Sequence, residues 1–271
     1  MNILILGDLL GRTGREAAIA AIPELRRMLR LDVLVVNAEN ASHGFGLAPD
    51  MAQALFAAGA DVITLGNHAW DRREIIPYIA QEKRVIRPMN FPPGTPGAGF
   101  VTLALPGGLK ILVAQVMGRL FMDPLDCPFQ AMESLLARHR LGPNGVDAII
   151  VDFHGEATSE KMAFAHAFDG AVSAVLGTHT HCPTADHQIL PGGTAYMSDV
   201  GMCGDYDSVI GMGKAPAIAR FTRKMPGERL HPADGEATIC GAVIDTGPDG
   251  RAQSIEPLRL GGRLSPQIPS A

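Results

Sequence analysis

Leu31-Asp32-Val33-Leu34-Val35-Val36-Asn37-Ala38-Glu39-Asn40-Ala41 decides the fold. Val33 to Val36 is an unbroken run of leucine and valine bounded by polar residues, which reads as a buried strand of a parallel sheet. Two amides and a carboxylate, Asn37, Asn40 and Glu39, stand where that strand ends. They are hard to explain as packing, and in open α/β sheets that edge is where ligands bind.

Working outward, the first half alternates strands and helices. Residues 2–7 read as a strand, and 13–29 as a helix with Ile22, Leu25 and Leu29 on one face and Pro23 expected to kink or restart it. The quoted strand takes 32–37, a helix 48–58, a strand 61–65 and a helix 72–81 with Asp71 as its expected cap. This rhythm implies right-handed βαβ crossovers and a parallel sheet. After the Pro/Gly-rich loop 91–99, strands at 100–105 and 110–116 flank Pro106-Gly107-Gly108, a hairpin signal. A helix near 129–139, a strand at 147–152, a helix at 158–168 and a strand at 172–176 follow. Residues 187–260 are Gly-rich, with short β-like runs at 216–221 and 238–245, and the last ten residues read as a frayed tail. No repeat, linker or low-complexity tract divides the chain. The expectation is one domain over residues 1–271, an α/β fold with two sheets packed between helices.

Composition narrows the function. At 46% hydrophobic and 19% charged the chain is not disordered. A net charge of −5 argues against a surface that coats long nucleic acid, but leaves room for a small phosphodiester at a metal centre. The longest apolar stretches fall well short of the ~20 residues of a membrane span. The N-terminus, Met1-Asn2-Ile3-Leu4-Ile5-Leu6-Gly7-Asp8, reads as a strand rather than a signal peptide. Cys127, Cys182, Cys203 and Cys240 form no CxxC pair, so a reduced, cytoplasmic protein is expected.

Five segments repeat one design, a strand followed by a metal-loving side chain: Gly7-Asp8, Glu39-Asn40, Gly66-Asn67-His68, Phe153-His154-Gly155 and Gly177-Thr178-His179-Thr180-His181. Oxygen donors mixed with imidazoles suit Mn, Fe or Zn better than Mg or Ca. Asp8, Glu39, Asn40, Asn67, His154, His179 and His181 are too many for one tetrahedral zinc. Two metals bridged by a carboxylate, roughly 3.5–4 Å apart, would use them. In an extended segment His179 and His181 would point to one side and could each face a different metal.

In this order the residues resemble the calcineurin-like metallophosphoesterase superfamily. Gly66-Asn67-His68, His154 and His179-Thr180-His181 match its later blocks, whereas the histidine expected shortly after Asp8 is absent and Glu39 stands where a bridging Asp would be. Gly7-Asp8-Leu9-Leu10-Gly11-Arg12-Thr13-Gly14-Arg15, Asn37 through Gly46, Gly66 through Asp71, and Ser198-Asp199-Val200-Gly201-Met202 resemble the YmdB-like phosphodiesterases within it. The resemblance spans residues 1 to about 215. It implies the four-layer α/β/β/α metallophosphoesterase fold and two transition-metal ions, Fe or Mn ahead of Zn. Asp8, Asn40 and His181 would hold one metal, with Asn40 compensating for the missing histidine. Asn67, His154 and His179 would hold the other, and Glu39 would bridge.

The implied activity is hydrolysis of small phosphodiesters, 2′,3′-cyclic nucleotides first, by metal-activated hydroxide, with His68 protonating the leaving oxygen. The alternative is a regulatory or RNA-associated metal-binding protein, linked to gene expression and biofilm formation, in which turnover is secondary. The resemblance also suggests self-association.

Three further residues carry two readings each. His43 either touches substrate or fixes its Gly-rich loop. Arg12, like Arg15, either meets phosphate at a helix N-terminus or is solvated, and Arg119 in Met117-Gly118-Arg119 has the same ambiguity. His139, His166, His187 and His231 read as structural or surface residues, and Cys182 is not expected to be a ligand. The glycines Gly7, Gly11 and Gly14 fit neither a dinucleotide-binding fingerprint nor a P-loop.

Overall fold

A computed structural model describes residues 1–223, 225 and 227–269. The strands in chain order are β1 (Asn2–Leu6), β2 (Val33–Asn37), β3 (Val62–Thr64), β4 (Val85–Ile86), β5 (Phe100–Ala104), β6 (Lys110–Met117), β7 (Ala148–His154), β8 (Ala174–Thr178), β9 (Gln188–Ile189), β10 (Ala195–Met197), β11 (Gly204–Asp205), β12 (Ala237–Thr246) and β13 (Ala252–Leu260). The helices are α1 (Gly11–Met28), α2 (Pro49–Ala58), α3 (Ile75–Gln81), α4 (Pro128–Leu136), α5 (Thr158–Ala167) and α6 (Lys214–Thr222). None is long and apolar enough to cross a membrane.

Two sheets form. In the first, β1 to β4 are parallel neighbours in chain order. β12 lies antiparallel on the other side of β1 and also pairs with β13 and β11. In the second, β6, β7, β8 and β10 are parallel, with β5 and β9 antiparallel at the two ends.

The side-chain alternation of the strands builds four layers. Ile3 and Ile5 of β1, Val33 and Val35 of β2, Ile111 and Val113 of β6, and Ala148 and Ile150 of β7 share one core between the sheets. Their neighbours Leu4, Leu6, Leu34 and Val36 face away and pack on Ala18, Ile22 and Leu25 of α1 and Ala52 and Leu55 of α2. On the far side Leu112, Ile149, Val151 and Phe153 pack on Met132 and Leu135 of α4 and Phe164 of α5. Period-2 alternation gives each strand two buried faces, which is why these strands read as continuous apolar runs. The order is helices, sheet, sheet, helices, the α/β sandwich expected.

Several elements differ from expectation. α1 runs unbroken across Pro23. α3 begins only at Ile75, and Asp71 does not cap it. The run 216–221 is not a strand but most of α6, whose Pro216 sits in the first turn, where proline is tolerated. β4, β9, β10, β11 and β13 went unread. β13 contains Pro257, which suits its edge position against β12 alone. The tail is not simply frayed, since Arg259 and Gln267 exchange backbone hydrogen bonds of 2.7 and 2.9 Å. Residues 270 and 271 lie outside the described residues.

Candidate metal centre at the facing sheet edges

The carboxyl ends of β1, β2 and β3 in one sheet and of β7 and β8 in the other open onto the same place. Asp8 follows β1, Glu39 follows β2, Asn67 follows β3, His154 closes β7, and His179 and His181 follow β8. All but Asn67 and His179 are buried. A side-chain carbon at Gly66 would overlap both Glu39 Oε2 and His154 Nε2, so glycine is needed where backbone passes over the pair.

His154 Nε2 is the centre. It lies 2.9 Å from Asn67 Oδ1, 3.1 Å from Glu39 Oε1 and 3.2 Å from His179 Nδ1. The ligand atoms of Glu39, His154 and His179 all fall within 4.8 Å of one another. The other imidazole nitrogens have partners. His154 Nδ1 is 2.8 Å from Thr178 Oγ1, and His179 Nε2 is 3.3 Å from Glu156 Oε2. His181 Nδ1 donates to the Ile210 carbonyl at 2.8 Å. Lone pairs of several side chains therefore point at one small volume that a single proton cannot serve.

Two more oxygens repeat the point. Among the described residues, Asp8 Oδ1 and Asn40 Oδ1 are buried without a hydrogen-bond partner. Leaving such atoms unpaired costs about 1–3 kcal/mol each, and a cation is the natural partner for this donor set. Asp8 is brought to the cluster through its Oδ2, which accepts the His179 N–H at 3.2 Å, and His181 acts on it electrostatically. Asn40 lies at the same edge, its amide donating to Gly44 O at 2.9 Å. Among the described residues no hydrogen bond or ion pair joins Asn40 or His181 to Glu39.

The electrostatics fit a site short of positive charge. Burial pushes the Asp8 carboxyl above the ordinary range, against the pull of His181 and His154. Burial works the same way on Glu39, but the adjacent His154 overcomes it and holds that carboxyl below the usual range. Burial disfavours the His154 imidazolium, yet Glu39, Asp8 and Asp152 reverse this and raise it to about 9. Burial together with the charge on His154 pushes His179 down to about 3. In the metal-free protein a proton on His154 stands where the donors converge.

The His179-Thr180-His181 segment is not extended, contrary to expectation. His179 and His181 have φ of 96° and 67°, in the region that favours glycine. Such residues persist only where their surroundings over-determine them. Here Asp199 Oδ2 accepts from Thr180 N at 3.0 Å and from Thr180 Oγ1 at 2.7 Å. The fully buried Lys161 Nζ bonds the same oxygen at 3.1 Å and the Thr178 carbonyl at 2.8 Å.

His68 sits at the mouth. Its backbone N–H donates to Glu39 Oε2 at 3.0 Å, and its Nδ1 is 2.8 Å from Asp71 Oδ2. Phe45 packs edge-on against the ring at 5.1 Å. Asp71 thus orients His68 rather than capping a helix. His43 Nδ1 lies 3.2 Å from Arg72 Nη2, which holds its loop against the His68 segment. Arg15 bonds the Ala41 carbonyl at 2.6 Å and so fixes the loop after β2. The Arg12 side chain is exposed in the first turn of α1. Arg119 is also exposed, and its backbone N–H meets Glu160 at 3.0 Å.

Sequence reasoning missed Asp152, Glu156 and Lys161, took Asp71 for a helix cap, and saw Thr178 and Asp199 only as parts of motifs. Asp152 carried a readable signal, a charge inside the apolar run Ile149-Ile150-Val151. Lys161 carried none.

Comparison with known proteins agrees with this geometry. The model of the YmdB-like protein family matches residues 4–258. A 2′,3′-cyclic-nucleotide 2′-phosphodiesterase of Bacillus subtilis is 44% identical over 245 residues, covering 90% of this chain and 91% of that protein. A putative phosphatase/phosphodiesterase of Mycoplasma genitalium is 37% identical, covering 90% and 85%. Among solved structures, a hypothetical protein from Thermus thermophilus superposes with a TM-score of 0.90 at 43% identity, covering 97% of this chain and all of that one. A phosphatase of Mycoplasma pneumoniae superposes with a TM-score of 0.89 at 32% identity, covering 96% and 93%. With two strand-end carboxylates, two asparagines and three histidines at one edge, and a family match over nearly its whole length, the chain belongs to the YmdB-like protein family.

Proposed function

We propose that this chain is a metal-dependent phosphodiesterase acting on small phosphodiesters, with 2′,3′-cyclic nucleotides as the leading substrates. The observation that carries the reading is the convergence of Glu39, Asn67 and His179 on His154 Nε2, beside an Asp8 Oδ1 that has no hydrogen-bond partner and lies 3.9 Å from His154 Nδ1. The name of the Bacillus relative, at 44% identity, supports the substrate class.

In this reading Asp8, Asn40 and His181 would hold one transition-metal ion and Asn67, His154 and His179 a second, with Glu39 as the ligand the two would share, and with Fe or Mn preferred to Zn. When bound, the ions offset phosphate charge and lower the pKa of water to roughly 7. The chain's own residues do the rest. Burial of Asp8, Glu39 and His154 keeps bulk water from competing at their donor atoms. Asp71 accepts the His68 Nδ1 hydrogen and so aims Nε2 outward, where it delivers a proton to the leaving oxygen. His43, Arg12 and Arg119 are candidates to meet the rest of the substrate.

The test pairs metal analysis of purified protein with a panel of 2′,3′- and 3′,5′-cyclic nucleotides. Bound transition metal and turnover of the 2′,3′-isomers are expected. No bound metal, with no activity after Mn or Fe addition, overturns the proposal.

A further inference from the structure

Asp152 lies fully buried at the floor of the candidate centre, two residues before His154, and among the described residues no lysine or arginine pairs with it, so that the His154 imidazole is the cationic group that acts on it. It accepts hydrogen bonds from three elements at once, β8, β2 and β6. Thr178 Oγ1 donates to its Oδ1 at 2.7 Å. Asn37 Nδ2 and Gln115 Nε2 donate to its Oδ2 at 3.2 and 3.0 Å. Those partners reach back to the site. Asn37 Oδ1 accepts the Glu39 N–H at 3.1 Å, and both amide side chains also bond the Leu65 carbonyl, one residue before Gly66. A buried carboxylate without a countercharge is costly unless saturated by donors and put to use.

The direction of these bonds settles a question about His154. Thr178 has one hydroxyl hydrogen, and Asp152 Oδ1 at 2.7 Å takes it, since a carboxylate can only accept. Thr178 Oγ1 must then accept at its other contact, from His154 Nδ1–H at 2.8 Å. The imidazole is left with Nε2 as its only coordinating nitrogen, aimed at Glu39, Asn67 and His179.

We propose that Asp152 and Thr178 form a positioning relay that sets which nitrogen of His154 binds the cation and holds the edges of β2, β6, β7 and β8 at ligand spacing. This rests on the metal-centre reading above. Neither residue touches substrate. Partners of this kind typically change metal affinity 10–100-fold.

The test measures Mn2+ affinity by titration of chelator-stripped protein, without reference to activity. It uses wild type, Thr178→Val, Thr178→Ser and Asp152→Asn. Thr178→Val keeps the shape but cannot accept from His154, and should bind about 10–100-fold more weakly. Thr178→Ser keeps the hydroxyl and should lie within about 3-fold of wild type, well inside the range such partners control. In Asp152→Asn the hydroxyl can turn away from the amide, and an intermediate loss is expected. The second readout is the His154 Nδ1–H resonance in Zn2+-loaded protein, protected from exchange in wild type and Thr178→Ser and lost in Thr178→Val. Equal Mn2+ affinity in wild type and Thr178→Val overturns the relay, as does an equal loss in the Ser and Val variants. If wild type itself binds no metal, the metal-centre reading fails instead.

Discussion

Removing the metal should make folding stability fall with rising pH, and the amount follows from His154. In the metal-free protein its proton is held to about 9, against an unfolded value of 6.5. The folded state therefore binds this proton more tightly than the unfolded chain. Below 6.5 the imidazole is protonated in both states and its stabilisation is fully present. Between 6.5 and about 9 it is lost as the unfolded chain releases the proton first. At 1.36 kcal/mol for each pH step, the interval corresponds to about 3 kcal/mol. Below 6.5 Asp8, raised by burial, acts in the same direction, whereas His179, held down to about 3, acts against it, so the pH window of the test starts at 6. Against a typical total of about 5–15 kcal/mol, such a loss is large. The assay is urea unfolding of chelator-treated protein at pH 6, 7.5 and 9, with metal-reloaded protein and His154→Gln in parallel. Reloaded protein should show a much flatter profile, because a bound cation takes the place of the proton. A chelated wild type that is as stable at pH 9 as at pH 6 refutes the reasoning, as does an identical decline in His154→Gln.

Other outcomes follow from single contacts. Gly66→Ala drives a methyl group into Glu39 Oε2 and His154 Nε2, so metal content per chain should drop below half while circular dichroism keeps the native helix and strand signal; full metal loading in this variant contradicts the packing. His68→Ala should cost about 10²–10⁴ in rate on alkyl phosphodiesters and much less on an activated aryl ester, with metal content unchanged; an equal loss on both substrates removes His68 from the proton-donor role. Asp71→Asn should slow alkyl-ester turnover in the same substrate-dependent way but more mildly, and a wild-type ratio between the two ester classes would show that the 2.8 Å contact is idle. Lys161→Met leaves Asp199 buried without its cation and should lower stability by about 3–5 kcal/mol in urea unfolding; a change under 1 kcal/mol would mean that Thr180 and Gly201 suffice to hold Asp199.

Much of this was legible in the chain because two periodicities and one edge rule act locally. Val33 to Val36 needed no partner to read as a doubly covered strand, and Glu39 and Asn40 no neighbour to look misplaced. What stayed hidden is set by contacts between distant residues. Asp71 has the sequence position of a helix cap, and only the fold shows that His68 takes its carboxylate. His179 and His181 follow a strand, so an extended backbone was the natural expectation. Their left-handed conformation is imposed by Asp199 and Lys161, which arrive from β10's end and α5. Residues 216–221 form a short, largely apolar run within α6, and windows of that length do not separate the two periods.

The placement of β12 has a consequence for how the chain is made. β1 is hydrogen-bonded on one side to β2, which follows closely, and on the other to β12, which begins only at Ala237. During synthesis β1 and Asp8 can dock on the first helices early, yet one edge of that sheet stays open until residues 237–246 have emerged. The residues that complete the centre, through His181, emerge before that edge is closed. A nascent chain thus presents metal-binding side chains and an unpaired strand edge together, the kind of edge that recruits other chains. Late closure by β12 makes the segment from Ala237 the step that covers this edge, and makes its removal more damaging than its distance from the centre suggests.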